Sequence, residues 1–556
     1  MPAPATNLGW PRRRGARSFA VHRAHSTDNA DKTMIPIRLT HLVAVMTFAA
    51  ASASFGASTP AATPHLPPGI AWRQGSVDAA FAQAKESHKP LFLFWGAVWC
   101  PPCNQVKATI FTQQAFKDRS AFFIPVYLDG DSESAQKLGE RFKVRGYPTM
   151  ILFSPDGTEI TRLPGELDAT RYMQALALGM NAAHPFRQTL ATASKDGARL
   201  SQDEWRMLAD YSWDTDGNLP IADDKIAVTL QDLAAHARVD HAPDEALRLE
   251  LKAVASAASQ PPVQTGTLDK AAALDATRTV LASPKLSRSD FDVLVAYPAE
   301  ITTYLSAAGS SQRVQLSKQW DLALQTLTVD PTISTADRLS ALYGREKLAR
   351  LDASKGATLP QSLVDTVREQ AMLADKNTTN AYERQSVIDS AADTLSEAGL
   401  LDASDTLLKA ELKRSATPYL FMSGLARNAK TRGDKAAALD WYRQAYAATT
   451  GPATRLRWGA TYLSNVIDLS PSDDARVRAI ATDLLDQVAQ TPNAFYGANR
   501  RALERVVSNL VKWDRGDAHR QTVSLVTRQF QGVCDKLPLG DPQIATCREL
   551  VRPIKA

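Results

Sequence analysis

A chain of 556 residues is too long to close around one hydrophobic core, so two or more domains are expected; its 44% hydrophobic and 22% charged residues are ordinary for globular protein and exclude a largely disordered one. The net charge of +5 points first to an acidic partner, but residues 1–53 hold seven basic side chains (Arg12, Arg13, Arg14, Arg17, Arg23, Lys32, Arg38) against two acidic ones (Asp28, Asp31). The remainder carries 57 of each sign, which leaves no basic excess for a nucleic-acid surface.

The first element is a targeting segment. "MIPIRLTHLVAVMTFAAASASFGAS" begins at Met34, places Arg38 before an apolar stretch from Leu42 to about Ala51, and continues into Ala51-Ser52-Ala53, with cleavage expected before Ser54. The apolar stretch is far shorter than the roughly 20 residues of a membrane span. No cysteine near the cleavage point suggests a lipid anchor. The arginine-rich stretch upstream reads as a start placed too early, with Met34 the true start; an organelle transit peptide is the competing reading. Residues 1–53 are thus a presequence and 54–69 a linker. Export changes the meaning of the four cysteines, because thiols in an oxidising compartment are normally paired; two pairs are expected, Cys100–Cys103 and Cys534–Cys547.

Residues 70–182 alternate helical and strand patterns. Helices are expected over 76–87, 102–112, 134–143 and 168–180, and the apolar runs "PLFLFW" (90–95), "FFIPVYL" (122–128) and "TMILF" (149–153) read as strands buried on both faces. Asp156-Gly157 marks a hairpin between "MILF" and "ITRL". This order predicts a mixed sheet covered by helices, an α/β sandwich. From 186 to 556 the strand runs vanish and an all-α region follows. Ser201 and Glu204 form a capping box, and "ASQPPVQTGT" (258–267) is an expected exposed loop. Two helix pairs are expected around turns at Gly399 and Gly433. Ala403 matches Ala437 and Leu407 matches Trp441 at the same 34-residue offset, which resembles a tetratricopeptide array. A generic helical solenoid is the alternative.

"VWCPPCNQV" (98–106) carries the chemistry. One Cys-x-x-Cys supplies only half of a tetrahedral zinc site, and no second pair or histidine cluster lies near, so neither metal nor cofactor is expected. A purely structural bridge of that span constrains the unfolded chain little. The pair sits where a strand enters a helix, which puts Cys100 at a helix N-terminus where backbone N–H groups and the helix dipole favour a thiolate. Pro101 and Pro102 suit the first turn. Cys100 is therefore the expected attacking sulfur and Cys103, a turn further on and less exposed, the resolving one. "VRGYPT" places Tyr147-Pro148 just before a core strand, a natural place for a cis peptide.

Trp-Cys-x-x-Cys and Gly-Tyr-Pro-Thr, in this order of elements, resemble the thioredoxin superfamily over roughly 70–182, and the "KPLFLFWGAVWCPPCNQVK" arrangement is similar to soluble domains of exported thiol:disulfide interchange proteins. The resemblance implies a dithiol/disulfide oxidoreductase of the periplasm, with Trp99 flanking the cysteines, Tyr147 and Pro148 contacting substrate, and Gly165 facing the same groove. It implies partners of two kinds: client proteins with cysteines or disulfides, and a redox partner that supplies or accepts electrons. One departure stands out: where the family buries a carboxylate in the strand before the cysteines, the matching place here is Phe94, or a neighbour if the spacing differs by one, and no carboxylate is present, so the proton acceptor for Cys103 is open. Pro-Pro between the cysteines lacks the histidine of strong oxidants, which leans to a reductase or isomerase. Cys534–Cys547 reads as a structural tie for the last helix, a second redox station being the alternative. The helical region reads as a client-holding arm, and the competing function is a helical scaffold or chaperone with the α/β region as an adaptor.

Overall fold

Six consecutive buried residues form β1 (Leu91–Gly96), around which the sheet is built. It pairs in parallel with β2 (Ile124–Asp129) and antiparallel with β3 (Thr149–Phe153), which pairs antiparallel with β4 (Glu159–Leu163), giving the order β2-β1-β3-β4. This is a computed structural model, and it describes residues 66–555 other than 74, 166, 196, 198, 260–267 and 355–356. The expected presequence, linker residues 54–65 and most of the expected 258–267 loop lie outside the described residues.

The helices accompanying the sheet are α1 (Val77–Ser87), α2 (Pro101–Thr109), α3 (Gln114–Ser120), α4 (Glu133–Arg141) and α5 (Ala169–Met180). Because strand side chains alternate, β1 feeds two cores. Phe92 and Phe94 join Val106 of α2, Phe116 of α3, Met150, and Tyr172 and Leu176 of α5. Leu91, Leu93 and Trp95 join Val77, Ala80 and Ala84 of α1, Ala135 of α4, Ile151 and Phe153. The result is the expected α/β sandwich with a thioredoxin-like sheet. The β3–β4 turn is closed by Thr158 N donating to Asp156 Oδ1 at 3.0 Å, with Gly157 at φ +90°. Helix α3 was not expected from the sequence. It is seven residues long, lacks a side-chain cap, and its deeply buried apolar residue is Phe116 alone, so no periodic signal announces it.

After β4 the described residues form helices joined by turns and loops, with no further strand, and one isolated bridge ties Asp216 back to Val144. The capping box forms as expected on helix Gln202–Asp210. Helices Ala381–Glu397 and Leu401–Glu411 turn at Gly399 (φ +81°), and Pro418–Arg432 and Lys435–Ala447 turn at Gly433 (φ +82°), where left-handed backbone favours glycine. Arg162, buried, and Arg171, half-buried, fasten the helical region to the sandwich. Arg162 on β4 pairs with Glu159 at 2.8 Å and Asp216 at 3.2 Å, and Arg171 on α5 pairs with Asp210 at 2.8 Å. The sandwich and the helices thereby form one compact unit. Among the described residues no helix is long and apolar enough to cross a membrane.

Candidate functional site

The site begins where β1 runs out. Gly96 sits so close to the cysteine pair that a Cβ there would lie 3.0 Å from the Phe94 ring and 3.4 Å from Cys103 Sγ. The chain then turns through Ala97-Val98-Trp99, with Cys100 N donating to Ala97 O at 3.2 Å. Cys100 is the N-cap of α2; its backbone is extended, Pro101 and Pro102 occupy the first helical positions, and Cys103 N donates to Cys100 Sγ at 3.3 Å. Cys100 and Cys103 are joined as a disulfide with Cα atoms 5.2 Å apart. Asn104 Nδ2 donates to Val98 O at 2.8 Å and holds the approach to the helix.

The Tyr147-Pro148 bond is cis. Pro148 lies against Gly165, where a Cβ would come within 2.6 Å of Pro148 Cγ, so that turn and the proline loop approach as closely as glycine allows. Tyr147 Oη donates to Gly130 O at 3.1 Å, and its ring fills the space a Cβ on Gly130 would need. The Trp99 and Tyr147 rings meet edge to face with centroids 6.1 Å apart. The fold thus brings Trp99, Cys100, Cys103, Tyr147, Pro148 and Gly165 together. Cys534 and Cys547 join helices Arg520–Asp535 and Gln543–Lys555 as a second disulfide and supply none of these contacts.

The helical region covers the cysteines. Cys100 is only 2% exposed and Trp99 5%. Trp458 packs edge-on against Trp99 with centroids 5.1 Å apart, and the Arg457 guanidinium lies 4.5 Å from the Trp99 ring centroid. Gln385 Nε2 donates to Val98 O at 3.2 Å and to Thr417 Oγ1 at 2.6 Å. Gln105 on α2 donates to Ser334 Oγ and Asp337 Oδ2, each at 2.9 Å. On the far side Asn499 N donates to Gln136 Oε1 at 3.2 Å. The low exposure of Cys103 was expected; that of Cys100 follows from helices more than 280 residues further along the chain.

Two ionisable groups at the site escaped the sequence reading. Asp131 accepts hydrogen bonds from Trp99 Nε1 at 3.0 Å and from Thr454 Oγ1, yet burial pushes its carboxyl up to about 6. In the sequence it sits in "DGDS", indistinguishable from an ordinary polar turn. Lys107 is 1% exposed, and burial pushes its amine down to about 8 against the pull of Asp129. Its Nζ lies 5.7 Å from the ring centroids of both Tyr127 and Tyr382. Lys107 is the fourth residue after Cys103, so the two share a face of α2; that spacing was legible.

A family model described as a thioredoxin-like domain matches residues 77–179. The thiol:disulfide interchange protein DsbD of Pseudomonas fluorescens is 35% identical over 107 residues, covering 18% of this chain and 17% of that one. A thioredoxin H-type of Oryza sativa subsp. indica is 33% identical over 88 residues, covering 16% of this chain and 67% of that one. A solved structure of a DsbH oxidoreductase is 20% identical, covers 23% of this chain and 96% of its own, and superposes with a TM-score of 0.19. This chain therefore spans 17% of the length of the Pseudomonas interchange protein it matches. Through residues 77–179 the chain belongs to the thioredoxin superfamily.

Proposed function

We propose that the protein is an exported thiol–disulfide oxidoreductase that exchanges the Cys100–Cys103 pair with cysteines of client proteins, acting as a reductase or isomerase. The observation that carries this reading is Cys100 at the N-cap of α2, bonded to Cys103 and flanked by Trp99 and the cis Tyr147-Pro148 loop. In the reduced form the Cys103 amide and the helix N-terminus hold negative charge on Cys100 Sγ. The thiolate attacks a client disulfide; one client sulfur joins Cys100 and the other leaves as a thiolate that takes a proton from water. Cys103 then loses its proton, attacks Cys100 Sγ and releases the client's second sulfur, so the client gains two electrons and the pair returns to the disulfide. Lys107, buried one turn after Cys103 on α2, is the group assigned to take that proton in place of the carboxylate missing from β1. An external dithiol partner restores the reduced pair. Similarity to a thiol:disulfide interchange protein and the signal-like Met34–Ala53 segment support placing this in the periplasm.

Tyr147, Pro148 and Gly165 are the proposed substrate contacts, and the helical region is the proposed client-holding arm. The test is trapping: Cys103→Ser should accumulate mixed disulfides with clients, and Cys100→Ser should abolish exchange. The potential of the couple against glutathione buffers then sets direction, a strongly negative value meaning a reductase. The burial of Cys100 under the helices favours one other reading, a helical scaffold with the thioredoxin-like region as an adaptor. In that case a variant lacking both cysteines still holds clients.

A further inference from the structure

Three arginines gather beside the site. Arg457 comes from helix Pro452–Leu469, and Arg501 and Arg505 stand one turn apart on helix Gly497–Trp513. Arg457 lies over Trp99, the residue before Cys100, and an Arg501 guanidinium nitrogen donates to Val144 O at 3.3 Å, at the start of the segment that leads into Tyr147-Pro148. Arg457 and Arg501 are half-buried and Arg505 is exposed, so solvent reaches the group. Among the described residues none of the three forms an ion pair with a carboxylate. The acids around them are engaged elsewhere: Asp131 with Trp99 and Thr454, Glu140 with Gly497 N at 3.2 Å, and Glu504 with Arg500 at 2.9 Å. Burial pushes Arg457 down to about 10, with Arg505 adding repulsion, and burial lowers Arg501 as well.

Asp131 faces Arg457, and Glu140 and Glu504 act on Arg501, but none is in ion-pair contact, so the three like charges still repel, and where they are partly buried water screens them poorly. A guanidinium fork matches a carboxylate in shape, and three forks near enough to repel one another offer an anion site from residues already in place. We propose that Arg457, Arg501 and Arg505 bind a carboxylate of the thiol or disulfide substrate, next to the sulfur that exchanges with Cys100. This rests on the exchange chemistry proposed above and names the class of substrate: a cysteine flanked by acidic groups. The carboxylate can come from an acidic residue of a client segment or from a small peptide thiol such as glutathione.

The test uses the full mature protein. Reduced protein is mixed with two disulfide-linked peptides that differ only in carrying Glu or Gln on either side of the cysteine, and with oxidised glutathione. Exchange should run about tenfold faster with the Glu peptide than with the Gln peptide, the ratio shrinking as salt rises and falling to about one in Arg501→Gln/Arg505→Gln. The charge-conserving Arg501→Lys/Arg505→Lys should keep part of the preference, which separates lost charge from lost folding. Faster reaction with glutathione than with the Glu peptide assigns the carboxylate to a small thiol, and the reverse assigns it to a client. A ratio near one in the wild type, or an unchanged ratio in the Gln variant, overturns the proposal. A second arm measures binding of fluorescent Glu and Gln peptides whose cysteine is serine to the oxidised protein. If no peptide exchanges, the oxidoreductase reading fails, and this arm still decides the cleft: salt-sensitive binding of the Glu peptide upholds it, and equal or absent binding of both peptides rejects it.

Discussion

Replacing Asp131 by Asn isolates the cost of holding a charge between the sandwich and the helices that cover it. The carboxyl accepts from Trp99 on one side and Thr454 on the other, and burial moves its pKa from 3.8 to about 6. That shift is worth about 3 kcal/mol. Its sign follows from linkage. Below pH 3.8 the group is protonated in both states and costs nothing. Between 3.8 and about 6 the unfolded chain has released the proton while the folded chain still holds it, so stability falls as pH rises. Above about 6 the loss is complete. Asn keeps an acceptor for both donors and carries no charge, although its amide N–H groups give back about 1–2 kcal/mol if left unpaired. The variant should therefore be about 1–2 kcal/mol more stable than wild type at pH 7.5, and that difference should fall by about 2–3 kcal/mol on going to pH 4, where the variant becomes the less stable by about 1 kcal/mol. Urea unfolding across that range reads both numbers. A difference between variant and wild type that does not depend on pH would refute the reasoning.

Three further outcomes follow from the same contacts. Trp458→Ala removes the ring that packs on Trp99, and if only about 1.4 kcal/mol of the usual 3–5 kcal/mol falls on the covered state, alkylation of reduced Cys100 should speed up about tenfold; mass spectrometry of the labelled protein reads it, and an unchanged rate rejects the cover. Lys107→Met should slow the second half of exchange about 10²-fold and remove the step near pH 8 from its pH profile, while the first attack by Cys100 proceeds; equal slowing of both halves argues against a proton-accepting lysine. Cys534→Ser/Cys547→Ser opens a loop of 13 residues and should lower stability by about 3 kcal/mol while leaving the Cys100–Cys103 potential where it was; a moved potential would make the second pair a redox station instead of a tie.

The features legible in the sequence are those that neighbouring residues impose on one another. An unbroken apolar run makes β1, Asp156-Gly157 closes a hairpin, Ser201 and Glu204 cap a helix, and Gly399 and Gly433 take the left-handed turns between helix pairs. Cys100 at a strand-to-helix junction and proline before a core strand are local in the same sense, so the cysteine pair and its proline loop could be named from spacing alone. Helix α3 was too short to leave a period and was invisible for that reason. What covers Cys100, what buries Asp131 and what sets Arg457 over Trp99 depends on segments more than 280 residues apart in the chain. Trp458 reads as one more core aromatic and the arginines as ordinary charges on a helix face, because periodicity reports that a face is buried and not what it is buried against. Partner choice between distant helices is set by packing of whole surfaces, and only the tertiary structure decides it.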